Sequence, residues 1–452
     1  MSKNLSLIVA KFGGTSVADF HSMNCSIDII NANKNIRLVI LSASAGVTNL
    51  LINLSNEKKI NQRSLLIEKI RYIQYSIINQ LKNKEKIYQK VNSILKNIID
   101  LSNNKKISKT SFLKDELIAY GELLSTHIFI EILHERQIHA EWFDIRKVLK
   151  TNDNFGQAEP DCQLIFKNAQ KFLTPIIKNK LVITQGFIGS EKNGKTTLLG
   201  RGGSDYTASL LGEALLAKRI DIWTDVPGIY TTDPKIVHKA KKIKEITFEE
   251  AAEMAIFGAK ILHPATLLPA IRNNIPVFVG SSKKPKKGGT IIRQYSDNPP
   301  LFRAIVLRCN QILLTLHSVK MLHTCGFLAK VFNILKQYKI SVDLITTSEV
   351  SIALTLDIQN TLFEETNLLN KYLLKDLSKI CHLKIEKNLS LITLIGNNLS
   401  KSYGIGKEVF GILEDYHLRL ICYGASNHNI CFLISKKDEE KIIKILHKNL
   451  FE

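Results

Sequence analysis

The 452-residue sequence has no apolar run of the about 20 residues that crossing a bilayer requires. Its first apolar stretch is too short for a signal peptide, and no small-residue cleavage site follows it. The seven cysteines are scattered, with no C-x-x-C pair and no metal-ligand spacing. We therefore expect a protein of the reducing cytoplasm that has no membrane partner.

The densest basic cluster, residues 283–289, contains no aromatic residue on which a nucleic-acid base could stack. The formal net charge of +21 comes from lysines spread along the whole chain, among many asparagines and isoleucines. We interpret the cluster as a solvated loop and expect no specific nucleic-acid partner. Anionic substrates and nonspecific polyanions both remain open as partners.

The first two-thirds of the chain alternates short apolar runs, rich in isoleucine and valine, with amphipathic segments. This alternation predicts an α/β fold in which a mostly parallel open sheet is covered by helices on both faces. The predicted strands are 5–10, 36–41, 181–188, 219–224 and 275–280, and the predicted helices include 64–101 and 114–133.

The last third of the chain repeats itself. When Gly326 is set against Gly404 (404 − 326 = 78), threonine, glycine and apolar positions coincide without a gap. Each copy reads strand, glycine turn, helix, strand, strand, which predicts a small α+β unit. In the first copy the predicted strands are 313–316, 341–346 and 350–356, and the predicted helix is 327–337.

The proline-containing stretch 296–300 predicts a domain boundary, so we expect a first domain at 1–295. The repeat copies then form small domains at 310–385 and 388–452, and a strand from 299–308 is a candidate to complete the second one. Paired units of this kind bind a ligand at their interface or dimerise edge to edge. A regulatory half and a purely structural dimerisation module both fit.

The motif Lys11-Phe12-Gly13-Gly14 directly follows the first predicted strand. Open α/β sheets bind ligands at the carboxyl ends of their strands. A lysine ammonium and exposed backbone N–H groups at that edge suit a phosphate. The motif is neither a Walker A loop nor the dinucleotide-binding glycine pattern. A strand followed by an ordinary tight turn is the alternative interpretation.

A second glycine-rich motif, residues 200–207, surrounds Arg201 with glycines. Ser204 is the predicted N-cap of a helix at 206–216. Arg201 is well placed to form a forked contact with a carboxylate or phosphate. Asp205 could orient the ammonium of Lys11 if the two turns meet. A capped helix after a flexible turn explains Ser204 but leaves Arg201 unexplained.

Two weaker signals follow predicted strands. Thr224 and Asp225 precede a Pro-Gly turn that presents Tyr230, which suggests a nucleotide pocket covered by the tyrosine, or else a surface turn. The small hydroxyl residues between Ser42 and Thr48 could hydrogen-bond an anionic group.

Two isolated charged residues are further candidates. Glu122 lies on an otherwise apolar helix, where it is either exposed or the partner of an ammonium group. Lys260 follows a glycine and could hold a phosphate.

Taken in order, the motifs KFGGTSVAD, LSASAGVTN, GELLS, GRGGSDYTA, WTDVPGIYTTDP and FGAKILHPAT resemble those of the aspartokinases, in the amino acid kinase family. The resemblance covers essentially the whole chain, and HSVKMLHTCGFLAKVF and ISVDLITTSEVSIALTLD point to the lysine-sensitive class. It implies an amino acid kinase fold followed by two ACT domains, without an attached homoserine dehydrogenase half.

The implied reaction transfers the γ-phosphoryl group of MgATP to the side-chain carboxylate of L-aspartate. The product, 4-phospho-L-aspartate, opens the route to lysine, threonine and methionine. Because the nucleophile is already an anion, we expect catalysis by alignment and charge neutralisation. The resemblance also implies feedback inhibition by L-lysine, and a homodimer through the ACT domains that becomes a tetramer with lysine. A catalytically idle, lysine-binding regulator with the same fold is the alternative.

The resemblance implies a role for each motif residue. Lys11 would neutralise charge on the moving phosphoryl group and Asp205 would hold it in place. Lys235 stands where the family usually has arginine, so forked binding is lost there. Mg²⁺ would be held mainly by the ATP phosphates, with no metal ligand assigned. The substrate residues are Ser42, Thr48, Glu122, Arg201 and Ser204, and the ATP residues are Gly13, Gly14, Thr224, Asp225, Tyr230, Lys235 and Lys260.

The first repeat copy keeps acids that the second lacks, since Asp343 and Glu349 align with Ile421 and Asn427. We therefore expect the ammonium of an inhibitory lysine in the first copy. Cys325 replaces a basic residue often found in the family, and Lys330 replaces an expected acid; both could weaken inhibition or alter the dimer contact. The implied pocket is completed by Met321, Gly326, Phe327, Leu328, Ser341, Val342, Thr347 and Ser348.

Overall fold

The structure, a computed structural model, describes residues 6–259, 264–322, 325–338, 340–356 and 369–452. It divides into two compact units. The described part of the first unit is 6–229, 242–252 and 264–296, and that of the second is 230–241, 253–259 and the described residues from 297 onward. Two short segments that precede residue 297 thus belong to the second unit. The sequence-based domain limits stay predictions.

The first unit is built from a sheet and the helices that cover it. Its strands are β1 Ile8–Phe12, β2 Ile36–Leu41, β3 Ala140–Phe143, β4 Leu181–Gln185, β5 Ile188–Ser190, β6 Thr196–Leu198, β7 Arg219–Thr224, β8 Glu245–Thr247, β9 Val277–Ser281 and β10 Gly289–Arg293. Its helices are α1 Phe20–Ala32, α2 Val47–Asn56, α3 Ile60–Ile78, α4 Glu85–Ser102, α5 Ser111–Glu135, α6 Cys162–Asn168, α7 Thr174–Ile177, α8 Gly203–Ala214, α9 Phe248–Ile256, whose last turn falls in the second unit, and α10 Pro264–Arg272.

The large sheet has the strand order β3-β4-β2-β1-β7-β9-β10-β8. In this order the first six strands, β3-β4-β2-β1-β7-β9, all run parallel, and β10 is antiparallel to β9. This confirms the predicted mostly parallel α/β sheet. β5 and β6 pair with each other in a separate two-stranded sheet. The central strand β1 is buried along its whole length, as expected for an apolar run covered on both faces. Because β2 and β7 flank β1 on opposite sides, the order in which strands are added to the sheet reverses there, which is where such sheets bind ligands.

The single long helix predicted at 64–101 is wrong, because the chain reverses between α3 and α4. Leu81 in the connection is buried, and Lys82 donates its backbone N–H to a Glu135 carboxylate oxygen at 2.6 Å. The rings of Tyr75 and Tyr88 meet at 5.0 Å across the two helices. The reversal lets both apolar helix faces reach one core, which one straight helix could not do.

The second unit is a six-stranded antiparallel sheet with the order β12-β13-β11-β14-β16-β15. The offset of 78 maps the start of α11 onto α13 (327 + 78 = 405) and that of β12 onto β15 (342 + 78 = 420), so the structure confirms the repeat. Its elements are β11 Phe302–His317, α11 Phe327–Gln337, β12 Val342–Thr347, β13 Ser351–Leu356, α12 Lys371–Ser378, β14 His382–Gly396, α13 Ile405–Ile412, β15 Leu420–Tyr423, β16 Asn429–Ser435 and α14 Glu439–Phe451.

Two long strands join the repeat copies. The first half of β11 pairs with the second half of β14, and β11 beyond Gln311 pairs with β13 and with the start of β14. The second copy therefore takes one strand, the first half of β11, from a segment that lies outside its own run of sequence. Two separate apolar cores, one under each copy, pack helices against the sheet. In the part of the chain that is described, no helix is both long and apolar enough to traverse a membrane.

Candidate active site

The two glycine-rich turns meet in the first unit. Lys11 Nζ lies 2.6 Å from Asp205 Oδ1, and the two side chains are 10% and 15% exposed. Lys11 is near the carboxyl end of β1, and Asp205 is in the first turn of α8. The carboxylate fixes the position of the ammonium at the ligand-binding edge of the sheet. The residual exposure leaves that ammonium within reach of a small anionic ligand.

Backbone contacts join the turn after β1 to the end of β7 and to the loop after β2. Gly13 donates its N–H to the carbonyl of Trp223 in β7 at 3.0 Å, and Ala45 donates to the carbonyl of Gly14 at 3.1 Å. A Cβ on Gly14 would lie 2.9 Å from the carbonyl oxygen of Ala43, so only glycine allows this approach. The loops after β1 and β2 and the end of β7 are therefore packed together.

Glu122 lies on α5 and is 2% exposed. Its Oε1 accepts a hydrogen bond from the backbone N–H of Ala43 at 3.1 Å, while Oε2 is buried and has no hydrogen-bond partner among the described residues. Burial raises the pKa of Glu122 to about 8. A carboxyl group with one buried, unpartnered oxygen is suited to bind a cation, because the positive charge would favour the ionised form of the carboxyl group.

Ser42 and Thr48 lie on the loop and first helical turn after β2, and both are half-buried. The carbonyl of Ser42 accepts a hydrogen bond from the Ser125 hydroxyl at 2.8 Å, one turn after Glu122 on α5. Gly46 takes a left-handed conformation (φ 84°) immediately before α2. The N-terminal N–H groups of α2 thus face the loop end, where an anion is stabilised.

The predicted capping role of Ser204 is wrong. α8 begins at Gly203, and its N-cap is Gly202 in a left-handed conformation (φ 72°). Ser204 therefore lies inside the helix, where its side chain is buried. A Cβ on Gly186, which follows β4, would lie 2.6 Å from that of Ser204, so the start of α8 is pressed against the sheet edge. Arg201, on the preceding turn, is exposed.

The residues predicted to bind the nucleotide are divided between the units. Thr224 and Asp225 follow β7 in the first unit, and the Thr224 hydroxyl donates to Asp225 Oδ1 at 3.1 Å. Tyr230 and Lys235 belong to the second unit. Lys260 lies outside the described residues. Their shared nucleotide site stays a prediction.

The predicted lysine-binding residues surround the start of α11 and the β12–β13 hairpin. Gly326 has φ 80° and begins α11, as Gly404 does for α13. Asp343 forms an ion pair with the buried Arg308 at 2.8 Å, so a ligand ammonium would share or replace that contact. Glu349 is exposed in the hairpin turn, as are Cys325 and Lys330 near α11. Of the rest, Phe327 is buried, Met321 and Val342 are half-buried, and Leu328, Ser341, Thr347 and Ser348 are exposed.

Comparison with known proteins agrees with this geometry. Residues 6–281 match the model of the amino acid kinase family, and residues 392–450 match an ACT domain. The chain is 57% identical to lysine-sensitive aspartokinase 3 of Escherichia coli over 99% of both chains. It is 35% identical to chloroplastic aspartokinase 1 of Arabidopsis thaliana, over 98% of this chain and 80% of that protein. The chain belongs to the aspartokinases of the amino acid kinase family.

Two solved structures are similar to this aspartokinase over nearly its whole length. Both are of E. coli aspartokinase III, 56% identical, and both matches cover 99% of this chain and 100% of the other. The complex with aspartate and ADP (R-state) has a TM-score of 0.90, and the complex with lysine and aspartate (T-state) has one of 0.86.

Sequence reasoning missed Asp115, a buried acid on α5 seven residues before Glu122. Its Oδ2 accepts backbone N–H groups from Gly156 at 2.8 Å and Leu198 at 3.0 Å. Burial raises the pKa of Asp115 to about 7. Asp115 therefore ties α5 to the strand that leads into the Arg201 turn. The sequence pattern that could have identified Asp115 is its spacing of seven residues from Glu122, which puts both acids on one face of the helix.

Ser44 is one of the small hydroxyl residues predicted to contact an anion, but nothing in the sequence assigned it a role of its own. It lies in the loop after β2, is 1% exposed, and its hydroxyl has no hydrogen-bond partner among the described residues. Only burial distinguishes it from the neighbouring small residues, and the sequence does not reveal that burial.

Proposed function

We propose that this chain is an aspartate kinase, which transfers the γ-phosphoryl group of MgATP to the side-chain carboxylate of L-aspartate. The relatives named above support the reaction, since one was solved with aspartate and ADP. The observation that carries the proposal is the 2.6 Å ion pair between Lys11 and Asp205, which joins the two glycine-rich turns at the sheet edge.

In the proposed mechanism a carboxylate oxygen of aspartate attacks the γ-phosphorus, and the bond from that phosphorus to the bridging oxygen breaks, so ADP leaves. No proton has to be removed from the nucleophile, so no general base is needed. Lys11 stabilises the negative charge that spreads over the phosphoryl oxygens, and Asp205 keeps its ammonium in position. The start of α2, with Ser42 and Thr48, supplies further hydrogen-bond donors.

Aspartate is selected by its two ends. Arg201 pairs with a substrate carboxylate, and the half-buried start of α8 limits where that carboxylate can lie. Glu122 receives the α-ammonium at its unpartnered oxygen. A dicarboxylic acid without an amino group would leave Glu122 uncompensated, so the site prefers an amino acid.

Magnesium enters with the nucleotide. Among the described residues no cluster of three or more histidine, cysteine, aspartate or glutamate side chains could hold a metal ion. Mg²⁺ commonly uses one or two carboxylates together with substrate phosphates. Asp225, exposed after β7, is the acid that could add a ligand to an ion held by ATP. The ion would neutralise phosphate charge while bound.

Inhibition by L-lysine and assembly through the ACT domains complete the proposal. A relative solved with lysine and aspartate supports the inhibitor. Glu349 and Asp343 supply the charge for the ligand's ammonium, in competition with Arg308 at Asp343. We propose a cytoplasmic homodimer through the ACT domains, with a tetramer favoured by lysine.

The test is an aspartyl-hydroxamate assay on the purified chain with saturating MgATP and aspartate. We expect hydroxamate formation that falls as lysine is added, and none when succinate replaces aspartate. Lysine binding without any hydroxamate would instead favour the catalytically idle regulator.

A further inference from the structure

Residues 230–241, here called the tyrosine loop, carry two of the predicted nucleotide contacts, Tyr230 and Lys235. In the structure this loop belongs to the second unit, together with the ACT-like repeat. Its motif reads as part of the kinase half, so its packing was not expected from the sequence.

Thr231 closes the base of the loop. Its N–H donates to the carbonyl of Lys241 at 2.9 Å, and the N–H of Lys241 donates to Thr231 Oγ1 at 2.9 Å. The carbonyl of Thr231 accepts a bond of 2.6 Å from the N–H of Ile305 in β11. Thr231 is 8% exposed, so all three of its polar groups are satisfied by protein inside a mostly dry site.

His447, on the last helix α14, contacts the same hydroxyl. Its Nε2 lies 3.0 Å from Thr231 Oγ1, and its side chain is completely buried. Since Oγ1 already accepts from Lys241, the hydroxyl proton is free to point at Nε2. The Glu452 carboxylate, with Oε1 3.6 Å from Nδ1, favours a proton on Nδ1, and Nε2 of the neutral imidazole then accepts the hydroxyl proton.

The imidazole itself is held firmly. It stacks on the ring of Phe451 with 5.2 Å between centroids and 14° between planes. Lys239 of the tyrosine loop forms an ion pair of 2.6 Å with Glu452, the residue that follows α14. Val237 of the loop is buried in the core of the second repeat copy with Ile442 of α14. The loop is therefore attached to α14 by polar and apolar contacts.

We propose that His447 is a positioning residue for nucleotide binding, which holds the tyrosine loop through the Thr231 hydroxyl. This inference rests on the proposed function, because it takes Tyr230 and Lys235 as nucleotide contacts. The second repeat copy then does more than regulate from a distance, because its last helix supports a segment that binds ATP. Aspartate binding, which uses residues of the first unit, does not depend on this contact.

The test compares Thr231→Val, which is isosteric but cannot bond His447 or Lys241, with Thr231→Ser, which keeps the hydroxyl. For Thr231→Val we expect a KM for ATP raised roughly tenfold, the scale of one lost buried hydrogen bond, and a KM for aspartate within about twofold of the original. Thr231→Ser should stay within about twofold of the original for both substrates. His447→Leu should also raise the KM for ATP selectively, by no more than Thr231→Val does, because it keeps the bond from Lys241. His447→Gln, whose amide oxygen can accept the hydroxyl proton, should restore much of the ATP affinity.

A double variant distinguishes a shared contact from two separate effects. Thr231→Val combined with His447→Leu should raise the KM for ATP no more than Thr231→Val alone, because the contact with His447 is already absent in that variant. Additive effects, or equal rises in both KM values, would overturn the inference. Should Thr231→Val fail to fold in a thermal melt, His447→Gln against His447→Leu decides alone. If the unsubstituted chain has no aspartate kinase activity, the proposed function is refuted instead. Failure of the proposed function and failure of this inference therefore give different results.

Discussion

Replacement of Glu122 by glutamine tests how the site recognises an amino acid. The glutamine keeps the shape of the side chain and an oxygen that can accept the Ala43 N–H. It cannot supply the negative charge that the α-ammonium of aspartate needs. We expect the KM for aspartate to rise about 10- to 100-fold, the range of a lost hydrogen bond to a charged group.

The pH dependence of the unchanged chain follows from the pKa of Glu122, about 8 in the folded protein against 4.5 ordinarily. The difference (8 − 4.5 = 3.5) corresponds to about 5 kcal/mol between the protonated and ionised forms. At pH 7 ionisation still costs about 1 kcal/mol, which aspartate binding has to supply. The KM for aspartate should therefore fall about eightfold between pH 7 and pH 8.5, and aspartate binding at pH 7 should release about 0.9 proton.

The KM for aspartate is measured from pH 6.5 to 8.5 by coupled detection of ADP, and proton release by calorimetry in two buffers of different ionisation enthalpy. Glu122→Gln should flatten the KM profile and abolish the proton release. Glu131→Gln, a change at a half-buried position on the same helix, is the matched control and should keep both. A Glu122→Gln profile that still falls eightfold would assign the titration to another group.

Stability gives an independent readout of the same carboxyl group. Since its folded pKa is raised, its contribution to the free energy of unfolding is present below about pH 4.5 and is lost as the pH rises through about 8. Glu122→Gln should remove this loss, so urea unfolding at pH 6 and 8.5 should differ less for the variant. A larger pH difference in the variant would refute the burial argument.

Three further predictions follow from the site and the regulatory unit. Lys11→Ala should lower kcat by about 10²–10³ or more in the hydroxamate assay, as for one lost transition-state charge contact; a near-original rate would remove Lys11 from the mechanism. Glu349→Ala should raise the lysine concentration that halves the activity, measured by lysine titration, and unchanged inhibition would move the site elsewhere. Asp115→Asn should stabilise the chain against urea more at pH 8.5 than at pH 6, relative to the unsubstituted chain. Burial raises the pKa of Asp115 to about 7, so the stability that its protonated form contributes is lost as the pH rises through that value; an equal change at both pH values would contradict this.

Local patterns predicted much of the fold correctly. The alternation of apolar runs and helices gave the parallel sheet, and the predicted strands 36–41 and 219–224 coincide with β2 and β7. The predicted helix 327–337 coincides with α11. These elements were predictable because periodicity and glycine turns act over a few residues.

The errors arose where distant packing overrides a local preference. Ser204 is a good capping residue, yet the N-cap of α8 is Gly202, because its left-handed conformation brings the helix close to the sheet edge. The single helix at 64–101 breaks because both of its apolar faces find the same core. Neither outcome can be read from a window of ten residues.

The sequence alone determined which chemical groups this aspartokinase possesses, because a lysine, an arginine and glycines in fixed order depend only on covalent neighbours. The tertiary structure decided how they act. Lys11 and Asp205, 194 residues apart (205 − 11), become one ion pair, and Thr231 meets His447 across 216 residues. Folding also buries Glu122 and so raises its pKa to about 8, because the loss of water around a carboxylate is a property of the packed molecule.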